Sequence, residues 1–164
     1  MKKELTKRLL SELLKDSKRS DRELAKVLGV SQPTVTRRRN QLVEQGVIQE
    51  FTVIPNFVKI GYEIMAVNLF KSNVSQELSE KAQKMAGADP HIIFAARGHG
   101  MGKNGIVISM HKNFADYSKF IAQVRSEGGK ELEGYESFII SLGDLVAKPF
   151  SLKSLAEDEE PITL

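Results

Sequence analysis

The feature that most constrains this chain is a pair of helix-boundary signals separated by only a few residues. Ser20 and Glu23 match the capping box of a helix N-terminus, in which the side chain of each residue bonds the backbone N–H of the other. An apolar stripe follows over Leu24–Leu28. Gly29 then suits the left-handed residue with which many helices end. The sequence therefore predicts a short helix that stops sharply at Gly29.

A second helix should begin directly after that turn. Ser31 can cap it, and Pro33 lies in its first turn, where the missing N–H of proline has no cost. The helical pattern runs to about Gln45 and ends at Gly46. Two helices joined by a short turn that contains glycine form a helix-turn-helix. An amphipathic helix over about Lys2–Asp16 precedes this pair.

The outward face of the last helix carries groups that suit DNA. If Val35 and Leu42 face the core, the opposite side presents polar side chains for base edges and arginines for phosphates. Arg37 is the candidate for a bidentate contact with guanine. Arg39 falls four residues after Val35, and we expect its stem to pass Leu42 and reach a phosphate. The predicted DNA-binding residues, within a helix-turn-helix over Asp21 to Asn40, are Ser31, Gln32, Thr34, Thr36, Arg37, Arg38, Asn40 and Gln41.

Charge is unevenly distributed along the 164 residues. Residues 1–50 carry 12 Lys/Arg and 7 Asp/Glu, whereas residues 51–164 carry 12 and 14. Positive charge concentrated in one third of a chain favours a polyanionic partner for that third. The alternative is a helical bundle with a solvated basic surface. The polar face of the last helix favours double-stranded DNA.

Three segments predict where the domains of the chain begin and end. Val47–Ile54 alternates enough for a strand, which would complete a winged helix-turn-helix domain over residues 1–54. Pro55–Gly61 indicates a hinge before a domain at 62–150. The run Glu157–Pro161 is strongly acidic, so we expect residues 151–164 to form a solvated, disordered tail.

Residues 62–150 predict four strands and two helices. The expected strands are Glu63–Phe70, His91–Ala96, Ile106–Met110 and Tyr135–Val146, with helices from Ser75 to near Gly87 and from Asn113 onward. The second helix should turn Phe114, Tyr117, Ile121 and Val124 inward. This order of elements is the split βαβ arrangement of a ferredoxin-like domain. The predicted fold class is therefore α+β, a winged helix-turn-helix followed by a ferredoxin-like βαββαβ domain.

A ferredoxin-like sheet has one face covered by helices and one face open. The open face is expected to include Met65, Val67, Leu69 and Ile139, which are too apolar to remain in water. We therefore expect this sheet to pair with another subunit, giving a homodimer or a higher homo-oligomer.

A glycine-rich loop is expected from Arg97 to Gly105. Gly100, Gly102 and Gly105 formally match a dinucleotide fingerprint, but that motif requires a following helix, and the strand-like Ile106–Met110 follows here. Backbone N–H groups and a lysine could still hold an anion, whereas the alternative is a plain hairpin turn. The candidate effector-binding residues are Gly98, His99, Gly100, Met101, Gly102 and Lys103.

Other chemistries find little support in the sequence. The absence of cysteine excludes disulfides and thiolate metal sites. His91, His99 and His111 lack a zinc spacing, so His91 and His111 are expected at the surface and no metal or cofactor is expected. No apolar run is long enough for a membrane span, so no membrane partner is expected. The absence of cysteine fits a reducing cytoplasm. The sequence has no G-x-S-x-G elbow and no pair of acids suited to acid–base chemistry, so the protein is not expected to be an enzyme.

The chain resembles the Lrp/AsnC family, the feast/famine regulators of bacteria and archaea, from about Leu5 to Lys148. The resemblance is strongest over DRELAKVLGVSQPTVTRRRN (Asp21–Asn40) and over LVEQGVIQEFTVIPNFVKIGY, which follows it. It implies a dimeric or higher-order transcriptional regulator whose C-terminal domains assemble the subunits and bind a small effector, often an amino acid, between them.

The sequence departs from that family at the effector loop. The family loop resembles a short G-D-Y-D turn, whereas this chain has Gly98–Gly105 without either acidic residue, so amino-acid binding is not carried over. Two alternatives remain open. A sirohaem-decarboxylase-like enzyme subunit has a similar layout, although only Arg97 and His99 lie near each other as candidates here. A stand-alone effector-sensing module is the other alternative, and the intact Ser31–Asn40 helix opposes it.

Overall fold

The structure is a computed structural model that describes residues 2–72, 76–128 and 132–157. It divides the chain into two compact units, one of Met1–Ile54 with Lys148–Leu164 and one of Pro55–Ala147. The first unit holds three helices, α1 (Lys2–Lys15), α2 (Asp21–Leu28) and α3 (Gln32–Glu44). The second holds β1 (Ile64–Ser72), α4 (Gln76–Ala88), β2 (Ile92–Gly100), β3 (Lys103–His111), α5 (Phe114–Gly128) and β4 (Leu132–Ser141).

The helical boundaries of the first unit follow the local signals in the sequence. The Ser20 N–H donates to Glu23 Oε2 at 2.8 Å, and the Glu23 N–H donates to Ser20 Oγ at 3.3 Å, which confirms the capping box. Gly29 ends α2 with φ +69°. The helices enclose one apolar core, formed by Leu9, Leu13, Leu24, Ala25, Leu28, Val35 and Leu42.

The strand predicted over Val47–Ile54 is wrong as an element within this chain. Residues 47–54 have no strand assignment. Gly46 ends the helical region, and the N–H groups of Val47 and Ile48 both donate to the Leu42 carbonyl at 2.9 and 3.0 Å. Ile48 packs against the helical core, whereas Val53 is exposed. A strand needs a partner for its backbone groups, and apolar alternation alone does not supply one.

The disordered tail predicted for residues 151–164 is wrong over 151–157. Lys153–Ala156 forms a 3₁₀ helix that contacts α1. The Ser11 hydroxyl donates to the Ala156 carbonyl at 3.3 Å. The prediction was dominated by the acidic run that starts at Glu157, whereas the preceding residues are mostly apolar or small. Residues 158–164 lie outside the described part of the chain.

The second unit is a four-stranded antiparallel sheet in the order β2-β3-β1-β4. α4 connects β1 to β2 and α5 connects β3 to β4, which is the ferredoxin-like order that the sequence predicts. Ser75, the predicted start of α4, lies outside the described residues. Pro55–Gly61, the predicted hinge, belongs to this unit and includes a 3₁₀ turn at Val58–Ile60.

Strand register shows which residues share each face of the sheet. Ala66 pairs with Ser109 and Ile139, and Asn68 pairs with Val107 and Ser137. Ala66, Asn68 and Ser109 are buried on the face that α5 covers. Ile139 therefore does not belong to the open face, and that prediction is wrong.

Phe138 and Ile140 occupy the open face instead, opposite Val67 and Met65. Phe138 is 71% exposed. The open face is therefore at least as apolar as predicted, but β4 contributes Phe138 and Ile140 to it and not Ile139. Alternation assigns residues to two faces, and only the register with β1 decides which face is which.

The start of α5 also differs from its predicted pattern. Asn113 caps the helix through its side-chain oxygen, which accepts the Asp116 N–H at 2.9 Å. Tyr117 is buried as expected, but Phe114 is 62% exposed and Phe120 is buried in its place. Phe114 lies at the first helical position, and its ring is 5.9 Å from that of Tyr117.

Candidate nucleic-acid interface

One face of α3 holds the helix in the core and the opposite face is exposed. Val35 and Leu42 are each 1% exposed and anchor the inner side. Pro33, Arg37 and Asn40 are exposed, as their angular positions predict. An open groove of about 770 Å³ follows this outer face and is lined by Gln32, Pro33, Thr36, Arg37, Asn40, Gln41 and Glu44.

The N-terminal turn of α3 is held by hydroxyl groups rather than by a side-chain cap. Ser31 occupies the cap position with extended backbone, but its side chain makes no capping hydrogen bond, so that prediction is wrong. Its hydroxyl lies 2.8 Å from the Thr34 hydroxyl. The first turn contains no acidic residue. The positive end of the helix dipole is therefore not neutralised by a carboxylate of that turn.

Thr36 is tied to the preceding helix. Its hydroxyl donates to Asp21 Oδ2 at 2.6 Å, and the Gln32 carbonyl is also within reach at 3.2 Å. Because its one proton is used within the chain, Thr36 is left with acceptor capacity toward an external ligand.

The three consecutive arginines of α3 have different environments. Arg37 is exposed on the groove. Arg38 is half-buried and donates through Nη1 to Gln41 Oε1 at 2.8 Å. Arg39 turns inward, where Nη2 lies 2.8 Å from Asp21 Oδ1 and donates to the Arg19 carbonyl at 3.2 Å. Arg39 therefore holds α3 to α2, and the prediction that it reaches a phosphate is wrong.

Two carboxyl groups of the first unit are stabilised in their charged form. The hydrogen bond from the Ser20 hydroxyl, assisted by that from the Ser20 N–H, holds the pKa of Glu23 below its ordinary value. A hydrogen bond from Lys15, with its charge and that of Arg19, lowers the pKa of Glu12. Both carboxylates lie in hydrogen-bonded pairs that fix helix ends.

The predicted glycine-rich loop is a tight hairpin, so the loop prediction for Arg97–Gly105 is wrong. β2 continues to Gly100 and β3 begins at Lys103. Only Met101 and Gly102 form the turn, with φ of +53° and +70°. Positive φ at both central residues is the geometry of a two-residue hairpin turn that follows the sheet twist.

The six predicted effector residues thus lie together at one hairpin tip. Lys103 is committed to an ion pair, with Nζ 2.8 Å from Glu136 Oε1. A cavity of about 510 Å³ lies instead between the sheet and its two helices, and none of the six is among its lining residues. Tyr135 lines that cavity, and burial raises the pKa of its hydroxyl.

The histidines also differ from expectation. His111 is fully buried, so its predicted surface position is wrong. It is paired with Ile64 on the helix-covered face, and its ring lies 5.0 Å from that of Phe120. Burial, assisted by the neighbouring His91, lowers the pKa of His111. The ring of His91 stacks on that of His111 at 5.2 Å.

Comparison with known proteins identifies the class of the chain. A family model described as "Winged helix-turn-helix DNA-binding" matches residues 2–49. An HTH-type transcriptional regulator from Pyrococcus furiosus is 33% identical over 130 residues, which cover 78% of this chain and 84% of that relative. The solved AsnC family transcriptional regulator from Agrobacterium tumefaciens has the same fold, with a TM-score of 0.75, 19% identity and coverage of 90% and 92% of the two chains. The chain belongs to the HTH-type transcriptional regulators, and it shares the fold of the AsnC family structure.

The fold of this regulator also matches a ligand-bound structure. A transcriptional regulator from Neisseria meningitidis, solved as its L-Met complex, has a TM-score of 0.75 at 12% identity over 90% of this chain and 92% of that one. These relatives are named as regulators, and the sirohaem-decarboxylase alternative gains no support from them. Among the described residues, no helix is both long and apolar enough to cross a bilayer.

Proposed function

We propose that this transcriptional regulator reads duplex DNA with the outer face of α3, placed in the major groove. The observation that carries the proposal is the separation of roles on one helix. Val35 and Leu42 are buried, while Arg37 and Asn40 are exposed along an open groove. A helix of 13 residues with one buried edge is rigid and can present its other edge to base pairs.

Base contacts fall to the exposed polar side chains in the middle of α3. Arg37 can donate two hydrogen bonds to guanine, and Asn40 can bond an adenine edge. Thr36 can accept from a base amino group, because its own proton is bonded to Asp21. These three residues are the proposed sequence-reading set, with Gln41 next to them.

Phosphate contacts fall to the helix start and to one further arginine. Ser31, Gln32 and Thr34 surround an N-terminal turn without acidic residues, which suits a phosphate. Arg38 can exchange its hydrogen bond with Gln41 for a phosphate oxygen. Arg39 is excluded from this set by its bonds to Asp21 and the Arg19 carbonyl.

We also propose that the regulator acts as a homodimer or a higher homo-oligomer through the open face of the sheet. The supporting observation is the apolar character of this face, in which Val67 lies between Ile108 and Phe138, and Phe138 is 71% exposed. Apolar surface of this extent is typical of an interface. A two-fold pair of helix-turn-helix units would contact half-sites about one DNA turn apart.

A small-molecule effector is proposed at the C-terminal unit. The L-Met complex of the Neisseria meningitidis regulator, which shares the fold, supports modulation of this kind. The hairpin Gly98–Lys103 is the region proposed to contact the effector. The test measures DNA binding in the presence of a panel of amino acids and organic acids, and an effector is expected to change the affinity for DNA.

The experiment that tests the DNA-binding proposal is selection of sites from a random duplex library with the purified full chain, followed by footprinting. We expect enriched sites with two-fold symmetry and half-sites centred about one helical turn, or a multiple of it, apart. Binding should weaken steeply with added salt, because each neutralised phosphate releases counterions. Enrichment of no sequence, or of single half-sites without a dyad, would oppose the symmetric assignment.

A further inference from the structure

Two histidines and an aspartate meet at one end of the sheet in the second unit. His91 directly precedes β2, His111 is the last residue of β3, and Asp116 lies in the first turn of α5. The potential ligand atoms of these three side chains all lie within 4.8 Å of one another. Strand pairing holds the two histidines side by side, since the Met110 N–H donates to the His91 carbonyl at 2.9 Å.

We propose that His91, His111 and Asp116 bind a divalent first-row transition-metal ion, with Zn²⁺ as the reference ion. Two imidazole nitrogens and one carboxylate oxygen form a donor set that such ions accept and that Mg²⁺ and Ca²⁺ do not prefer. This site is separate from the proposed DNA-reading face, and its occupancy does not depend on that function.

The ligand spacing is close to that of a bound ion. His91 Nε2 lies 3.4 Å from Asp116 Oδ1, and His111 Nδ1 lies 3.9 Å from Asp116 Oδ2. Donors that each lie about 2.1 Å from one metal ion are separated from each other by roughly 3.0–3.5 Å. The first pair already fits, and the second needs to close by about half an ångström to one ångström.

The neighbouring residues orient both rings as a metal site requires. His91 Nδ1 lies 2.8 Å from Asp89 Oδ1, so that nitrogen carries the proton and donates it, which leaves Nε2 with a free lone pair. His111 Nε2 lies 2.8 Å from the Ser109 hydroxyl. The serine oxygen has two lone pairs and can accept from this N–H as well as from the Asn68 amide at 3.0 Å.

One nitrogen of the buried histidine has no hydrogen-bond partner in the described structure. His111 is fully buried, and its Nδ1 is shielded from solvent without a hydrogen bond. A buried polar atom of this kind is costly unless a ligand uses it. It faces Asp116, whose own position is fixed because Oδ2 accepts the Lys112 N–H at 3.0 Å.

Three protein ligands leave at least one coordination position for water or for another small molecule. A bound ion could therefore coordinate a further small molecule at this site. The sequence does not present a familiar zinc pattern because the three ligands come from separate elements: His91 just before β2, His111 at the end of β3 and Asp116 in α5. The histidines are separated by 19 residues, and His111 is separated from Asp116 by four.

The test uses the full chain without an affinity tag, freed of metal by dialysis against a chelator. Isothermal titration with Zn²⁺ is expected to give one ion per chain, and titration with Co²⁺ is expected to give visible d–d bands. His91→Ala and Asp116→Asn should each weaken Zn²⁺ binding at least tenfold. Asp89→Asn, which changes only the residue that orients His91, should weaken it by about 10–100-fold.

His99→Ala is the matched control, because it removes the third histidine of the chain at the far hairpin and should leave Zn²⁺ affinity unchanged. Asp116→Asn keeps an acceptor for the Lys112 N–H, so it remains informative if His91→Ala does not fold, which circular dichroism detects. An excess of Mg²⁺ should not displace Zn²⁺. The proposal is overturned if the wild-type chain binds no Zn²⁺, or if folded Asp116→Asn binds it as tightly as wild type does.

Discussion

Arg39 and Asp21 form an ion pair, with 2.8 Å between Nη2 and Oδ1, that ties the middle of α3 to the first residue of α2. The same guanidinium donates to the Arg19 carbonyl and lies 5.9 Å from the centre of the Phe51 ring. Both charged side chains are mostly buried, with 23% and 18% of their surface exposed. This pair holds α3, the helix that also carries Arg37, against α2.

Replacing Arg39 should therefore destabilise the protein rather than remove a DNA contact. We expect Arg39→Ala to lower the free energy of unfolding by about 1–3 kcal/mol, because it leaves Asp21 partly buried without its cation. Arg37→Ala, on the same helix but exposed, should change it by less than about 0.5 kcal/mol. Urea unfolding followed by circular dichroism measures both, and equal midpoints for the two variants would refute the assigned role.

The capping box predicts acid sensitivity of the first unit. The pKa of Glu23 is lower in the folded protein than in the unfolded chain, so its contribution to stability is present above the unfolded value of about 4.3. That contribution is lost as the pH falls through the lower folded value. Glu23→Gln and Ser20→Ala should each reduce the loss of stability between about pH 5 and pH 3. Urea midpoints across this range test it, and an unchanged acid slope in both variants would be inconsistent with it.

Gly105 should accept a side chain only if the ring of Phe70 moves. A Cβ atom built there would lie 2.2 Å from Cζ of the Phe70 ring, which covers this position of β3. We expect Gly105→Ala to cost about 1–3 kcal/mol, because the ring must move from a packed position. Gly98→Ala is the control, since nothing lies within 4 Å of its Cβ position. Thermal unfolding that ranks the two variants equally would contradict the packing described here.

The open sheet face should control assembly. Phe138→Glu places a charge on an exposed apolar residue of the proposed interface and should shift the protein toward monomer at micromolar concentration. Phe114→Glu changes a phenylalanine at the start of α5 that is 62% exposed, and it should leave assembly intact. Sedimentation velocity distinguishes the species. A monomeric wild-type chain, or identical profiles for both variants, would exclude this face as the interface.

Local signals predicted the helices well because each is contained in a few neighbouring residues. The capping box at Ser20 and Glu23, the turn at Gly29 and the buried positions Val35 and Leu42 all depend on periodicity or on single-residue chemistry. The ferredoxin-like order of elements likewise follows from the sequence of apolar patterns, and the exposed position of Arg37 follows from the helical repeat.

Features that depend on distant partners were not predictable. Arg39 meets Asp21 and Arg19 only through the packing of α3 on α2, and Ile139 changes face because of its register with Ala66. The glycine-rich sequence predicts a long loop, whereas the turn contains only Met101 and Gly102. The pairing of β2 with β3 extends as far as Gly100 and Lys103 and so shortens the turn.

The histidine cluster was missed for the same reason. His91 and His111 are brought together by strand pairing across 19 residues, and Asp116 joins them only because α5 begins beside the end of β3. Two signals in the sequence point to this cluster. Asp89 lies two residues before His91 and bonds its ring, and Asp116 lies five residues after His111, in the first turn of the next helix.

The outer face of α3 is proposed to read DNA, and fluorescence anisotropy with a selected duplex tests this role most directly. Arg37→Ala should weaken binding to that duplex by about 1–3 kcal/mol, roughly tenfold or more, and relax the preference for one base pair. Lys119→Ala, which removes the same charge from the exposed surface of α5, should bind like wild type. An Arg37→Ala variant that binds the selected duplex with wild-type affinity and preference would contradict the claim.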